Sequence, residues 1–155
     1  MYKSKLSFLI SIFFISLTAL SCKSNKNMSS ESPEIIFSLN TTSCLGECPV
    51  FELALYGDKK LVFEGKEHTA LEGVHKKNLS DEQFDKLMGI IETANWVDLK
   101  PTYRSNMTDL PTENFIYNRN GVNANVSKYG SEPKELREMT DLILTFMEDE
   151  IFGQK

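Results

Sequence analysis

The chain predicts an α+β fold, an antiparallel β-sheet with two helices packed on one face, in the order strands, helix, hairpin, helix. Three observations carry this. Apolar residues alternate with polar or small ones through Ile35–Leu39, Phe51–Leu55 and Leu61–Phe63, the period of a half-buried strand. Two later segments, Phe84–Ile91 and Leu136–Met147, carry apolar residues three and four apart, the stripe of a helix with one buried side. Between them Asn120-Gly121 separates two alternating runs, a strong hairpin signal because both central residues of a type I′ turn need positive φ. Strands and helices in separate runs pack as layers around one core.

The folded part is expected over residues 34–152, as a single domain. Ile35, Phe37 and Leu39 define a first strand, and Thr41–Pro49 is a turn-rich link holding Cys44 and Cys48. Phe51, Leu53 and Leu55 define a second strand, turned by Gly57-Asp58-Lys59-Lys60 into a third that carries Leu61 and Phe63 and ends at Gly65. Thr69–Lys77 suits a fourth, weaker strand with Gly73 inside it. Asn78–Asn95 reads as a helix: Ser80 and Gln83 form a capping box and Leu79 can staple onto Phe84. Asp81 and Glu82 lie where the helix dipole favours acids. Trp96, Val97 and Leu99 are expected to fold over its end, and Pro101–Leu110 to be a loop. Phe115 and Tyr117 set the inward parity of a strand over Thr112–Asn118; Val122, Ala124 and Val126 set that of its return to Tyr129. Ser131 and Pro133 open the second helix, with Leu136, Met139, Ile143, Phe146 and Met147 as its buried stripe.

The segment ahead of the domain concerns location. Lys3 and Lys5 begin it, Leu6–Leu20 is almost wholly apolar, and Ala19-Leu20-Ser21-Cys22 precedes a polar run from Lys23 to Ser32. A basic start, a short apolar core and a small residue before the cut are the layout of a secretory signal. The cysteine after that small residue resembles a bacterial lipobox. Residues 1–21 are then a lipoprotein signal peptide, Cys22 the lipidated N-terminus, and 22–33 a flexible tether spanning about 20 Å. An ordinary cleaved signal and a retained anchor are the alternatives, the apolar run being shorter than the ~20 residues that span a bilayer core. Lys23 after the cysteine suggests, by resemblance to known lipoprotein sorting, the outer membrane facing the periplasm.

The 155-residue chain carries a net charge of −5; residues 1–21 hold two lysines and no acid, so the remainder stands at −7. An acidic chain without a Lys/Arg cluster argues against nucleic acid and against electrostatic binding to anionic lipid. The expected partners are a membrane, through the lipid at Cys22, and a protein, peptide or small ligand. With Cys22 lipidated, Cys44 and Cys48 remain, and an even pair in an exported chain reads first as a disulfide.

Several fragments together are familiar: Cys44-x-Gly46-x-Cys48-Pro49, Tyr56-Gly57-Asp58, Phe63-Glu64-Gly65, Leu79-Ser80-x-Glu82-Gln83, Asp109-Leu110-Pro111-Thr112, Asn120-Gly121 and Tyr129-Gly130-x-x-Pro133-x-x-Leu136. They resemble a family of small bacterial envelope lipoproteins, domain of unknown function 6438, over nearly all of the domain. The resemblance implies the fold and no catalytic residue. Two departures stand out: Lys59-Lys60 where the family often has Gly, and an Asn-rich final strand where more β-prone residues are usual.

Candidate chemistry is sparse. Cys44 and Cys48 suit a disulfide pinning the loop between two strands, worth about 2 kcal/mol for so short a closure. The alternative is a redox or copper-binding thiol pair, since C-x-x-x-C-P also resembles copper chaperones of the envelope. There a helix N-terminus lowers the thiol pKa, whereas a strand follows Pro49 here. His68 and His75 fall on opposite faces of a continuous strand and lack a third partner, so no metal site is expected. Asp109, with Asp58, is a possible carboxylate pair or a turn residue. Trp96, Tyr103 and Tyr129 are possible floors of a ligand groove; Asp109 and Tyr129 are the ligand-binding candidates. No G-x-S-x-G, phosphate loop or H-E-x-x-H occurs. The reading is a lipid-anchored envelope domain with a binding or structural role and no expected cofactor. The alternatives are thiol or copper handling by Cys44 and Cys48 and, more weakly, a hydrolase with unrecognised acids.

Overall fold

The computed structural model describes residues 33–130 and 132–153. The expected signal peptide, the lipid-bearing Cys22 and the tether as far as residue 32 lie outside these. Seven strands form one sheet: β1 Ile35–Thr41, β2 Val50–Tyr56, β3 Lys60–Glu67, β4 Gly73–Asn78, β5 Thr102–Arg104, β6 Thr112–Arg119 and β7 Val122–Tyr129. Their order across the sheet is β4-β3-β2-β1-β6-β7-β5, antiparallel throughout except for the parallel pair β5/β7. Two α-helices, α1 Asp81–Ile91 and α2 Lys134–Phe146, complete an α+β architecture, and α2 runs on into a π-helical turn, Met147–Ile151. No described helix is long and apolar enough to cross a membrane.

Strand alternation divides the sheet into an inner and an outer face. Phe37, Leu39, Phe51, Leu53, Leu55, Leu61, Phe63, Phe115, Tyr117 and Val126 point inward and are buried. Phe84, Leu87, Met88 and Ile91 of α1, and Leu136, Met139, Ile143 and Phe146 of α2, belong to the same core. Trp96 locks it: its ring stacks on Tyr117 at 5.0 Å, and its indole N–H donates to the carbonyl of Ile91 at 3.0 Å. The capping box is present, with Gln83 N–H donating to Ser80 Oγ and Ser80 N–H to Gln83 Oε1, each at 3.2 Å. Leu79 and Phe84, flanking it, are both buried. The turn between β6 and β7 has positive φ at Asn120 and Gly121, as its sequence requires.

The differences from the sequence reading have local causes. β3 continues past Gly65 to Glu67, because Gly65 is not a terminator: a Cβ there would sit 1.7 Å from the carbonyl of Leu71. β4 accordingly begins at Gly73. α1 is shorter at both ends, since Ser80 is its cap and Glu92 its last half-turn. Trp96 is buried and Leu99 packs on the core, but Val97 is 73% exposed. The segment read as a loop contains β5, held by its pairing with β7. Pro133 is the N-cap of α2 and not its first helical residue.

Candidate functional site

Three of the sequence's candidate segments meet at one end of the sheet, where β1 gives way to the cysteine loop. Cys44 and Cys48 form a disulfide with a Cα–Cα distance of 5.8 Å, well inside the ordinary range. The closed loop is stitched to its neighbours. Thr41 Oγ1 donates to the carbonyl of Pro49 at 2.8 Å and accepts the N–H of Phe51 at 2.9 Å. Leu45 N–H donates to the carbonyl of Asp109 at 3.3 Å, and Thr112 N–H to Thr42 Oγ1 at 2.9 Å. Asp109 thus contributes its backbone, at φ 64°, with its side chain exposed. Tyr129 Oη accepts the N–H of Leu110 at 3.3 Å and fixes the same turn. Tyr129 also lines a small cleft of about 100 Å³ with Arg104, Ser105 and Glu132.

The other candidates do not join them. Asp58 lies in the hairpin at the far end of β2, where its Oδ1 accepts the N–H of Lys60 at 3.1 Å, so it makes no pair with Asp109. Tyr103 Oη accepts the N–H of Lys100 at 3.0 Å, and Trp96 is a core residue, so no aromatic floor forms with Tyr129. His75 sits in β4 with Nε2 2.8 Å from the carbonyl of Glu72, while His68 is in the preceding loop.

The residues at the centre of this end are Glu113, Lys128 and Thr140, which the sequence reading did not single out. Glu113 of β6 and Lys128 of β7 stand directly opposite each other on the inner face. Lys128 is 1% exposed. Its ammonium donates to Glu113 Oε1 and, at 2.8 Å, to the carbonyl of Gly130. Thr140 of α2 donates to Glu113 Oε2 at 2.8 Å. Burying two charges costs several kcal/mol each unless they are paired and their remaining hydrogen-bonding atoms occupied. Here both carboxylate oxygens are engaged. Gly130 reaches its position at φ 102°, and a Cβ there would sit 2.8 Å from Ser105 Cβ, so glycine is what lets its carbonyl meet Lys128.

Beside this cluster is a cavity of about 130 Å³, lined among others by Cys48, Pro49, Pro111, Glu113, Thr140 and Asp141. Among the described residues no group of three His, Cys, Asp or Glu side chains has metal-ligating geometry.

The outer face is different in kind. On its β1–β2–β3 half lies an open trough of about 330 Å³, lined among others by Ser38, Asn40, Glu52, Ala54, Tyr56 and Glu64. Beyond the trough the same face continues onto β6 and β7, where Ile116 is 39% exposed and Asn123 and Asn125 are exposed.

The family model described as Domain of unknown function (DUF6438) matches residues 35–147, and the chain belongs to that family. No curated protein and no solved structure matches it.

Proposed function

We propose that this family member is a lipid-anchored envelope domain whose role is binding or structural support, with no reaction of its own. The two helices cover one face of the sheet and the opposite face is the working surface. One observation carries the reading. The polar groups that converge inside the domain, Glu113, Lys128 and Thr140, are occupied by one another, while the outer face presents a shaped trough. A buried network whose members are bonded to one another rigidifies a scaffold, and groups so committed are poorly placed to act as acid, base or nucleophile. The lipid is carried by Cys22, at the outer membrane and facing the periplasm, for the reasons of sequence given above.

Two measurements test this. Growth with a fatty-acid analogue is expected to label the protein, and Cys22→Ser to abolish the label; a labelled variant sinks the anchor. Hydroxyl-radical footprinting is expected to find Tyr56 and Ile116 protected in native envelopes relative to the purified chain, with the exposed Leu142 of α2 unchanged. Equal modification of all three residues in both states removes the outer face as the working surface.

The second reading is thiol or copper chemistry, favoured by the place of Cys48 on the wall of the 130 Å³ cavity. Against it, Cys48 leads into a strand and not a helix N-terminus, so nothing there stabilises a thiolate. Rapid alkylation without reductant, with stoichiometric Cu(I) binding after reduction, would establish this reading over the first.

A further inference from the structure

From the outer face we infer the class of ligand: a neutral, polyhydroxylated chain, a glycan, lying across the strands of β1, β6 and β7. The inference rests on the proposed binding role of that face. Its observation is the asparagine-rich run, which the fold does not explain. Asn40, Asn114, Asn118, Asn123 and Asn125 all point outward from three neighbouring strands. Asparagine is among the residues depleted in strands, because it packs poorly on a pleated surface and its amide competes with the backbone. Five on one side of one half-sheet therefore weaken the fold they sit in.

Their arrangement is regular. Asn40 stands opposite Asn114, Asn114 opposite Ser127, and Ser127 beside Thr102 of β5, making one row of uncharged hydrogen-bonding side chains across four strands. Ser38, Ile116 and Asn125 form a second row, and Asn118 and Asn123 a third. Of the five amides, Asn118 donates to the carbonyl of Ile35 at 3.4 Å, a long bond, so its amide is held loosely. Successive groups in a row are separated by the strand spacing, about 4.8 Å. That is close to the rise of one pyranose unit in an extended glycan.

Each amide offers two donors and an acceptor with two lone pairs, the pattern that hydroxyl and acetamido groups complement. The rows carry no charge from Asn40 to Thr102, in a chain of which 25% is charged. A strip of this kind offers no cation for a phosphate or an anionic lipid; its charged neighbours are Glu52 and Glu64, which continue the first row onto β2 and β3, with Lys66 paired to Glu52. The row opens at Asn40 into the trough, where Glu52 and Glu64 supply acceptors for sugar hydroxyls and Ala54 a small apolar surface.

The test uses the protein purified from envelopes in detergent, titrated by calorimetry with chitohexaose, cellohexaose and maltohexaose. At least one hexasaccharide is expected to bind. Asn114→Val/Asn125→Val is expected to lose tenfold or more of that affinity while unfolding at a higher temperature, since valine suits a strand better. Asn114→Asp/Asn125→Asp is expected to lose it without adding apolar surface, which separates lost hydrogen bonding from aggregation. If no hexasaccharide binds at millimolar concentration, or if the valine variant binds as well as the parent, the glycan assignment fails. Footprinting then distinguishes the causes: protection of Ile116 in envelopes without glycan binding keeps the binding face and discards the ligand, whereas no protection discards both. Concentration-dependent dimerisation abolished by Asn125→Asp would assign the face to a second copy of the chain and overturn the inference.

Discussion

Glu113 and Lys128 face inward across β6 and β7; their chain neighbours Asn114 and Ser127 face outward across the same two strands. The first pair is charged and bonded within the fold, the second neutral and open to partners. Inside, the two charges are tolerated because they are bonded to each other and to the fold, so their chemistry serves the fold. Outside, water satisfies the amides in the free protein, so residues that suit a strand poorly need some other reason to be there. The two pairs share a backbone, and the pleat turns the charged one inward and the neutral one outward.

Breaking the inner pair gives the largest expected effect. Lys128→Met leaves the Glu113 carboxylate buried without its counter-charge, and removing one partner of such a pair costs about 3–5 kcal/mol. Lys128→Met combined with Glu113→Leu removes both charges and is expected to recover most of that loss. Urea unfolding of the three proteins decides the matter; a double variant as unstable as the single one would mean that the network contributes more than charge compensation. In the helices that share the core with that face, Leu87→Ala and Ile143→Ala are each expected to cost about 2–5 kcal/mol, the range for large-to-small changes in a packed core. Ile116→Ala on the outer face is expected to stay within about 0.5 kcal/mol. Similar losses at Ile116 and Ile143 would erase the distinction between the faces.

The disulfide belongs to the end of the sheet where the inner network meets solvent. Cys44→Ser/Cys48→Ser is expected to cost about 2 kcal/mol, since the closed loop is short and its closure entropy small. Ligand binding on the outer face is expected to survive in the folded variant, because the loop lies beyond the end of β1 and not on the strands. Loss of binding at unchanged stability would move the working surface to the cysteine loop.

Much of this was legible beforehand, and the limits have physical causes. The strands, the capping box and both helical stripes follow from periodicity, which local sequence carries directly. Glu113 and Lys128 were legible in principle. Asn120-Gly121 makes a two-residue turn, and counting back along both strands from Arg119 and Val122 brings Glu113 opposite Lys128. Their parity is that of Phe115 and Val126. A charged residue ordinarily marks an outward position, and only pairing in register makes two charges acceptable inside. The third member, Thr140, comes from a helix far along the chain, and no local pattern announces it. β5 is three residues long and exists through a parallel pairing with β7, so its own sequence could not reveal it. The meeting of Asp109 and Tyr129 is likewise a tertiary fact, and the structure makes it a turn held by a phenol.

The smallest effect expected is on the inner face and appears only in alkali. Tyr117 is buried against Trp96, and its hydroxyl donates to Glu92 Oε1 at 3.3 Å. Burial, followed by the Glu92 carboxylate, pushes its phenol above the usual value near 10. A group whose pKa is raised by folding contributes stability that is fully present below the unfolded-state value and is lost as pH rises through the folded-state value. The expected loss therefore begins near pH 10 and leaves neutral pH untouched. The measurement is the melting temperature of the parent and of Tyr117→Phe between pH 8 and pH 11. The phenylalanine variant lacks the hydrogen bond to Glu92, so it starts slightly lower, and lacks the ionisable group, so its curve falls less steeply. Deprotonation of lysines is common to both proteins and cancels in the difference. Parallel curves across that window would show that Tyr117 ionises as freely in the fold as outside it, and that the inner face excludes charge less strictly than the bonded pair implies.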